Sequence, residues 1–417
     1  MNTDLNNILK RSNYSSDNPK LRLTKFSSWT KPLLVDNLKT QYIHVAGTSG
    51  KGTVVYTISL ILNSHQISTV SFMSPHVYRL NERFLVNSSP ITNSQLNLIA
   101  KQVLTFEKKH IKNTHLTKFE AFTLMFCLLV KNIQPQFAVI ETGLGGRLDP
   151  TNVISDKKIA VITRIGFDHT KILGNTISQI TTEKAGIIKD GNKVFTLIQT
   201  KTAKKTIDKH VSLRSTNLIE VNTSGYDIVK QNLSGTTITT TEGYTFHTSL
   251  VGDHQIQNLL LSIAVCKNAL KLLNITFKQN VVSETIENLH LPGRFEIIKK
   301  NNTTYILDGA HNLQKITALT KTYKAVIHQP AVGIIFIKTG MPTIRILSRF
   351  QQICKKVYLL TKSKRTYVLP PNCIPSSNIK QIIKKVKLHK PPYVIVSGSF
   401  FILKSAKEAI KSTNLKN

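Results

Sequence analysis

Seven consecutive residues, Gly47-Thr48-Ser49-Gly50-Lys51-Gly52-Thr53, combine the side chains and the backbone freedom needed to hold phosphate. Glycines let backbone N–H groups close around an anion, and a helix starting at the loop adds positive potential. Lys51 is placed to reach the outer phosphates of a nucleotide, and the Thr53 hydroxyl to ligate Mg2+. The strict phosphate-loop pattern is not met, because position 45 is Val and Gly52 separates Lys51 from Thr53. Taken alone, the stretch reads as a phosphate loop, with a tight turn carrying a surface lysine as the plainer alternative.

Two further stretches strengthen the first reading. Glu141-Thr142-Gly143-Leu144-Gly145-Gly146-Arg147-Leu148-Asp149 puts an acid at the end of an apolar run, where open α/β sheets bind ligands. Its glycines let the backbone come close to a ligand. Ile165-Gly166-Phe167-Asp168-His169 ends another such run with groups able to hold a metal. A lone histidine is usually structural. A Glu, a His and a phosphate loop at three strand ends of one sheet favour a Mg2+–nucleotide site instead. Met73-Ser74-Pro75-His76 follows a fourth run, and Asn81-Glu82-Arg83 beyond it reads as a plain turn.

Bringing these groups together needs a sheet whose strands end on one side. Runs rich in Val, Ile or Phe mark strands at residues 42–46, 69–72, 137–141, 159–163 and 193–197. Helical patterns lie between them at 53–64, 94–110, 118–131 and 177–189. Such alternation predicts an α/β domain with a mostly parallel sheet. Residues 1–40 read as an irregular lead-in with a short helix, and the Thr-rich stretch 225–250 as a small antiparallel hairpin. A helix over 255–273 leads to Leu291-Pro292-Gly293-Arg294, a chain reversal or hinge. Strands at 304–307, 332–337, 357–360 and 393–396 then restart the alternation. The expected division is an ATP-binding domain over 1–291 and a Rossmann-like α/β domain over 292–417.

Composition narrows the class. A hydrophobic content of 41% suits a globular enzyme, and four well-separated cysteines with no metal spacing suit free thiols in a reducing cytosol. No apolar run reaches the roughly 18–20 residues that span a bilayer. Met1-Asn2-Thr3-Asp4 shows no basic segment leading into an apolar core, so a cytoplasmic location is expected. The net charge of +34 raises nucleic-acid binding, but its lysines are spread along the whole chain, with no arginine-rich arm. A solvated basic surface is the reading adopted, with attraction for an anionic substrate beside it.

Further motifs complete a pattern. Glu183-Lys184-Ala185-Gly186-Ile187-Ile188-Lys189, Pro292-Gly293-Arg294 and Asp308-Gly309-Ala310-His311-Asn312 follow those above in order. From about residue 40 onward the chain resembles the folylpolyglutamate synthase/dihydrofolate synthase branch of the Mur ligases. That resemblance implies a phosphate-loop ATPase domain of Mur ligase type followed by a C-terminal α/β domain. It implies ATP on Gly47, Thr48, Ser49, Gly50, Lys51, Gly52 and Thr53, with Asn258, Arg294 and Asp308 as further contacts. Two Mg2+ ions are implied, one near Thr53, Ser74 and Glu141, the second held with His169. Lys184 matches a lysine that is carbamylated in the family. Phe119, Glu120 and Leu148 fall on the pterin side, and His311 near the incoming glutamate. Lys51, Lys184 and His311 are the implied catalytic set.

The implied activity is ATP-dependent addition of L-glutamate to a folate or dihydropteroate carboxylate by a monomeric enzyme. An amide ligase for another acid, a polyanion-binding descendant without catalysis and a plain ATPase or kinase remain as rivals. Some positions depart from the family pattern. Ser49 stands where Asn is usual, Thr53 where Ser is common and Leu313 where Pro is preferred. Residues 337–342 lack the Lys-Asp pair often found after that strand, which bears on amino-acid specificity.

Overall fold

Strands buried on both faces can satisfy their backbone groups only from one another. In this chain such strands build two sheets in two separate units. The structure, a computed structural model, describes residues 3–13, 15, 18–35, 39–112, 114–154, 158–222, 225–338, 341–361 and 369–412. One unit comprises Met1–His76, Leu80–Ser224 and Gln257–Thr285; the other comprises Val77–Arg79, Gly225–Ile256 and Ile286–Asn417.

The strands of the first unit are β1 (Gln41–Ala46), β2 (Thr69–Phe72), β3 (Phe84–Val86), β4 (Ser89–Pro90), β5 (Phe137–Glu141), β6 (Ile159–Ile162), β7 (Lys193–Leu197) and β8 (Asn217–Val221). They form one sheet in the order β4-β3-β2-β5-β1-β6-β7-β8, in which β3, near one edge, runs antiparallel to both of its neighbours and every other pairing is parallel. Val45 pairs with Glu141, and Ala46 with Ile162. The first acid, the phosphate loop and the 163–169 turn therefore leave the sheet side by side. The five strands expected here are all present, within a residue or two of their expected ends. The helix expected over 177–189 stops at Ala185, because Gly186 caps it and Ile187 and Ile188 turn into the core.

The lead-in differs from the expectation. It contains two helices, Thr3–Leu9 and Pro19–Val35, and their Leu5, Ile8, Phe26 and Leu33 are buried in the main core of the unit. The buried face of the longer helix reads Arg22, Phe26, Thr30, Leu33. That spacing is helical, but a charge and a hydroxyl interrupt the apolar stripe.

The second unit carries β9 (Tyr226–Asn232), β10 (Gly235–Thr240) and β11 (Thr245–Thr248) as a three-stranded antiparallel sheet, one strand more than the hairpin expected. Its larger sheet joins β12 (Glu296–Lys300), β13 (Thr303–Asp308), β14 (Ala331–Phe336), β15 (Cys354–Leu360), β16 (Cys373–Ser376) and β17 (Tyr393–Ser397) in the order β12-β13-β17-β14-β15-β16. Only β12 runs antiparallel to its neighbour. Residues 225–256 group with this unit rather than with the first, since Leu233 and Val251 pack into the core of Ile306, Ile316 and Tyr323. The four cysteines are free thiols, and no helix among the described residues is long and apolar enough to cross a membrane.

Helix Asp253–Leu272 opens with an unusual histidine. Burial pushes the His254 imidazole down to about 4; Asp253 opposes this, and Arg294 and Lys321 add to it. His254 is therefore neutral in the folded chain near pH 7. An unfolded histidine protonates near 6.5. As pH falls from 6.5 to 4, the unfolded chain takes up a proton that the folded chain refuses, so stability falls. Chemical denaturation over that window is expected to show a loss of at most about 3 kcal/mol from this group, and His254→Gln to flatten the slope.

Candidate active site

The phosphate loop is built so that the start of a helix stays open. Gly50 is the N-cap of helix Lys51–Ser64, in left-handed backbone at φ 93°, and no side chain caps the helix. A Cβ at Gly50 would run into the Asn258 amide, which is buried. The N–H groups of the first turn thus lack the side-chain acceptor that helices normally recruit, and a bound anion can supply it. The loop is pinned from the neighbouring strand end. Thr48 N and Ser49 N donate to Arg164 O at 3.0 and 3.2 Å, and Thr48 Oγ1 exchanges hydrogen bonds with the Gly166 backbone. Ser49 Oγ is buried with no hydrogen-bond partner.

Two lysines converge on one carbonyl. Lys51 Nζ lies 3.3 Å and Lys184 Nζ 2.9 Å from Gly47 O. Lys184 is only 4% exposed, so it is not a solvated helix lysine. Lys51 Nζ also lies 3.9 Å from the Glu141 carboxylate. Glu141 accepts a hydrogen bond from Ser74 N at 2.8 Å, so the Ser74-Pro75-His76 turn is held at the acid. Thr53 is buried in the first turn of the helix. Hydroxyls and one carboxylate are hard oxygen donors of the kind Mg2+ takes, together with water and phosphate oxygens. Among the described residues there is no group of three or more His, Cys, Asp or Glu that could hold a metal ion.

Arg83 joins the same place, although its tripeptide reads as a plain turn in the sequence. Its Nε donates to His76 Nδ1 at 3.0 Å, and its guanidinium lies over the Phe122 ring. Burial pushes Arg83 down to about 10, and the negative charge of Glu141 opposes that shift. A half-buried arginine beside Glu141 could have been suspected only from the fold.

The second glycine loop is held from within. Asp149 accepts from Leu144 N at 2.7 Å and from Thr151 N and Thr151 Oγ1 at 3.0 and 2.6 Å. Burial pushes its carboxyl above the usual range, and these bonds pull it back. Thr151 Oγ1 and Thr142 Oγ1 both meet His44 Nε2, at 2.9 and 3.0 Å. This buried chain from β1 through both ends of the loop fixes its path, and no local signal in the sequence announces it. Arg147 N donates to Glu183 O at 2.7 Å, which ties the loop to the helix that carries Lys184. A Cβ at Gly143 would collide with the Phe119 ring, so the glycine admits that aromatic face.

The remaining expected residues separate into groups. Leu148 is half-buried in the glycine loop. His169, in left-handed backbone, keeps a 48% exposed side chain with its Nε2 3.8 Å from Asp168 Oδ1. The Glu120 carboxylate is 2% exposed and takes hydrogen bonds from Arg22 Nε, Arg22 Nη2 and Thr117 N, all at 2.7 Å.

Arg294, Asp308 and His311 lie in the second unit. Asp308 accepts from Phe295 N and Ala310 N, at 2.9 and 2.8 Å, and burial pushes its carboxyl up against those bonds and the charge of Arg294. The Arg294 guanidinium lies over Phe400 at 4.3 Å. His311 sits between Gly309 O, at 2.8 Å from Nδ1, and Lys315 Nζ, at 3.1 Å from Nε2. Thr339 and Gly340, within the segment that lacks the Lys-Asp pair, fall outside the described residues.

Comparison with known proteins agrees with this geometry. Residues 45–266 match the Mur ligase middle domain. The dihydrofolate synthase/folylpolyglutamate synthase of Bacillus subtilis is 29% identical over 409 residues, 89% of this chain and 91% of that protein. The dihydrofolate synthetase of Saccharomyces cerevisiae is 31% identical over 349 residues, 75% of this chain and 77% of that protein. The fold matches the folylpolyglutamate synthase of Mycobacterium tuberculosis complexed with ADP and AMPPCP. That match has a TM-score of 0.82, 21% identity, and covers 94% of this chain and 96% of that one. With its phosphate loop, buried lysine and second glycine loop in place, the chain belongs to the Mur ligase family, in its folylpolyglutamate synthase/dihydrofolate synthase branch.

Proposed function

We infer that this chain is an ATP-dependent ligase that adds L-glutamate to the carboxylate of folate or dihydropteroate. The observation that carries the reading is the convergence of Lys51 and Lys184 on the carbonyl of a loop whose helix N-terminus is left open. The names of the relatives supply the acceptor class, and the fold of a synthase seen with ADP and AMPPCP supports ATP.

The reaction divides into two displacements. An oxygen of the acceptor carboxylate attacks the γ-phosphorus of ATP, the bond to the ADP oxygen breaks, and an acyl phosphate forms. The glutamate amine then attacks the acyl carbon, phosphate departs with the bonding pair, and the nitrogen loses a proton. The first displacement brings an anion to a polyanion, so positive groups fixed in advance carry most of the advantage. The open N–H groups from Gly50 to Gly52 receive phosphate oxygens, Lys51 neutralises the outer phosphates, and Asn258, Arg294 and Asp308 make the further nucleotide contacts. Phe119 and Leu148 form the pterin side, and His311 lies with the amino acid. Mg2+ held by Thr53, Ser74 and Glu141, with a second ion at His169, would draw charge from the phosphates. Carbamylation of Lys184 would replace its ammonium by an anion able to face that second ion. Exclusion of water would protect the acyl phosphate from hydrolysis.

Phosphate release assayed with dihydropteroate, tetrahydrofolate or a muropeptide, each with L-glutamate, tests the acceptor class. Turnover is expected with a pterin acceptor and to depend on glutamate, and Lys51→Ala is expected to lower it by about 100-fold or more. Equal turnover in that variant would sink the mechanism. For Lys184, a carbamate resonance in 13C-bicarbonate NMR is expected in the wild type and absent in Lys184→Ala. The same variant is expected to lose amide formation by about 100-fold or more. A silent spectrum with a fully active wild type would remove the carbamate from the account.

A further inference from the structure

We propose that the two helices of the N-terminal segment brace the acceptor side of the site, with Arg22, acting through Glu120, as the positioning residue for Phe119. The inference rests on the reading of Phe119 as part of the pterin side. It reassigns the acid beside that ring from ligand contact to anchor.

The stretch 114–120 is held at several points by Arg11, Ser12 and Arg22. Arg22 donates to both oxygens of Glu120, to His115 O at 2.6 Å and to Thr114 Oγ1 at 3.1 Å. Arg11 forms a second forked pair with Glu107, which in turn accepts from Leu116 N at 2.8 Å. Lys118 N donates to Ser12 O at 2.8 Å. Thr117 and Glu120 close a capping box, which sets the first turn of helix Lys118–Ile133. Phe119 lies inside that turn, and its ring meets Phe72 at 5.7 Å between centroids as well as the face of Gly143.

Two bidentate arginine–carboxylate pairs are a costly way to dock two helices that already bury Leu5, Ile8, Phe26 and Leu33. Such forks fix direction as well as distance. Apart from Glu107, the groups they hold run from Thr114 to Glu120, around Phe119, so their geometric effect is concentrated on that ring.

The test compares wild type, Glu120→Gln, Arg22→Lys and Phe119→Leu in steady-state kinetics, with thermal melting alongside. Arg22→Lys keeps the charge and loses the fork, which guards against a variant that fails to fold. The Michaelis constant for the pterin acceptor is expected to rise about tenfold in Arg22→Lys and Glu120→Gln, because a small misplacement of a positioning group is felt at the substrate. The constant for ATP and kcat are expected to stay within about twofold of the wild type. The double variant Arg22→Lys/Phe119→Leu is expected to be no worse for the acceptor than Phe119→Leu alone, since both remove the same wall. Lower melting temperatures with an unchanged acceptor constant would overturn the brace while leaving the ligase reading intact. A wild type that turns over no pterin acceptor would overturn both.

Discussion

A buried ammonium must be met by acceptors, and Lys184 meets the carbonyl of Gly47. Lys51 reaches the same oxygen, while the N–H of the same peptide, on Thr48, is taken by Arg164 O. That one peptide unit is thus held at both ends, by a helix on one side and a neighbouring strand end on the other. The loop reaches its phosphate-binding shape during folding, so little ordering remains for the moment of binding. The rest of the first unit follows from it. β1 must lie between β5 and β6 for Glu141 and Arg164 to flank the loop, and the glycine loop must touch the Lys184 helix for that lysine to be aimed.

Much of this was legible because parallel strands covered on both faces appear as plain apolar runs. Residues 69–72, 137–141 and 193–197 stand in the sheet with the ends read from their sequence. The motifs were legible because glycines and acids at strand ends have few other reasons to occur together. The first helices were hidden for a converse reason. Arg22 and Thr30 sit on a buried face and break the apolar rhythm that identifies one. β3, β4 and β8 are short or partly exposed strands of the first sheet, and they carry little pattern of their own.

Side-chain partnerships were the least legible level. Glu120 beside Phe119 looks like a ligand contact, and only the fold reveals an arginine 98 positions earlier on its two oxygens. His44 lies within an apolar strand and gives no sign of bridging Thr142 and Thr151. Sequence spacing speaks for neighbours on one element, whereas these pairs are set by the order of strands in a sheet. Lys184 needed both levels: resemblance marked it, and burial shows why it cannot be a solvated lysine.

The burial of charge is lopsided, and this alters what the surface is. Among the described residues, Glu107, Glu120, Glu141, Asp149, Asp168 and Glu296 are buried acids, whereas the buried lysines and arginines are Arg22 and Lys184. The chain has 22 acids and 56 lysines and arginines, so folding withdraws a far larger share of its negative charge than of its positive. What faces solvent is more one-sided than composition alone states. ATP, glutamate and a folate tail are all anions, and each meets that field before it meets any site. Encounter should therefore be quick in dilute buffer and slow as added ions shorten the reach of the field, so ionic strength governs how fast substrates arrive.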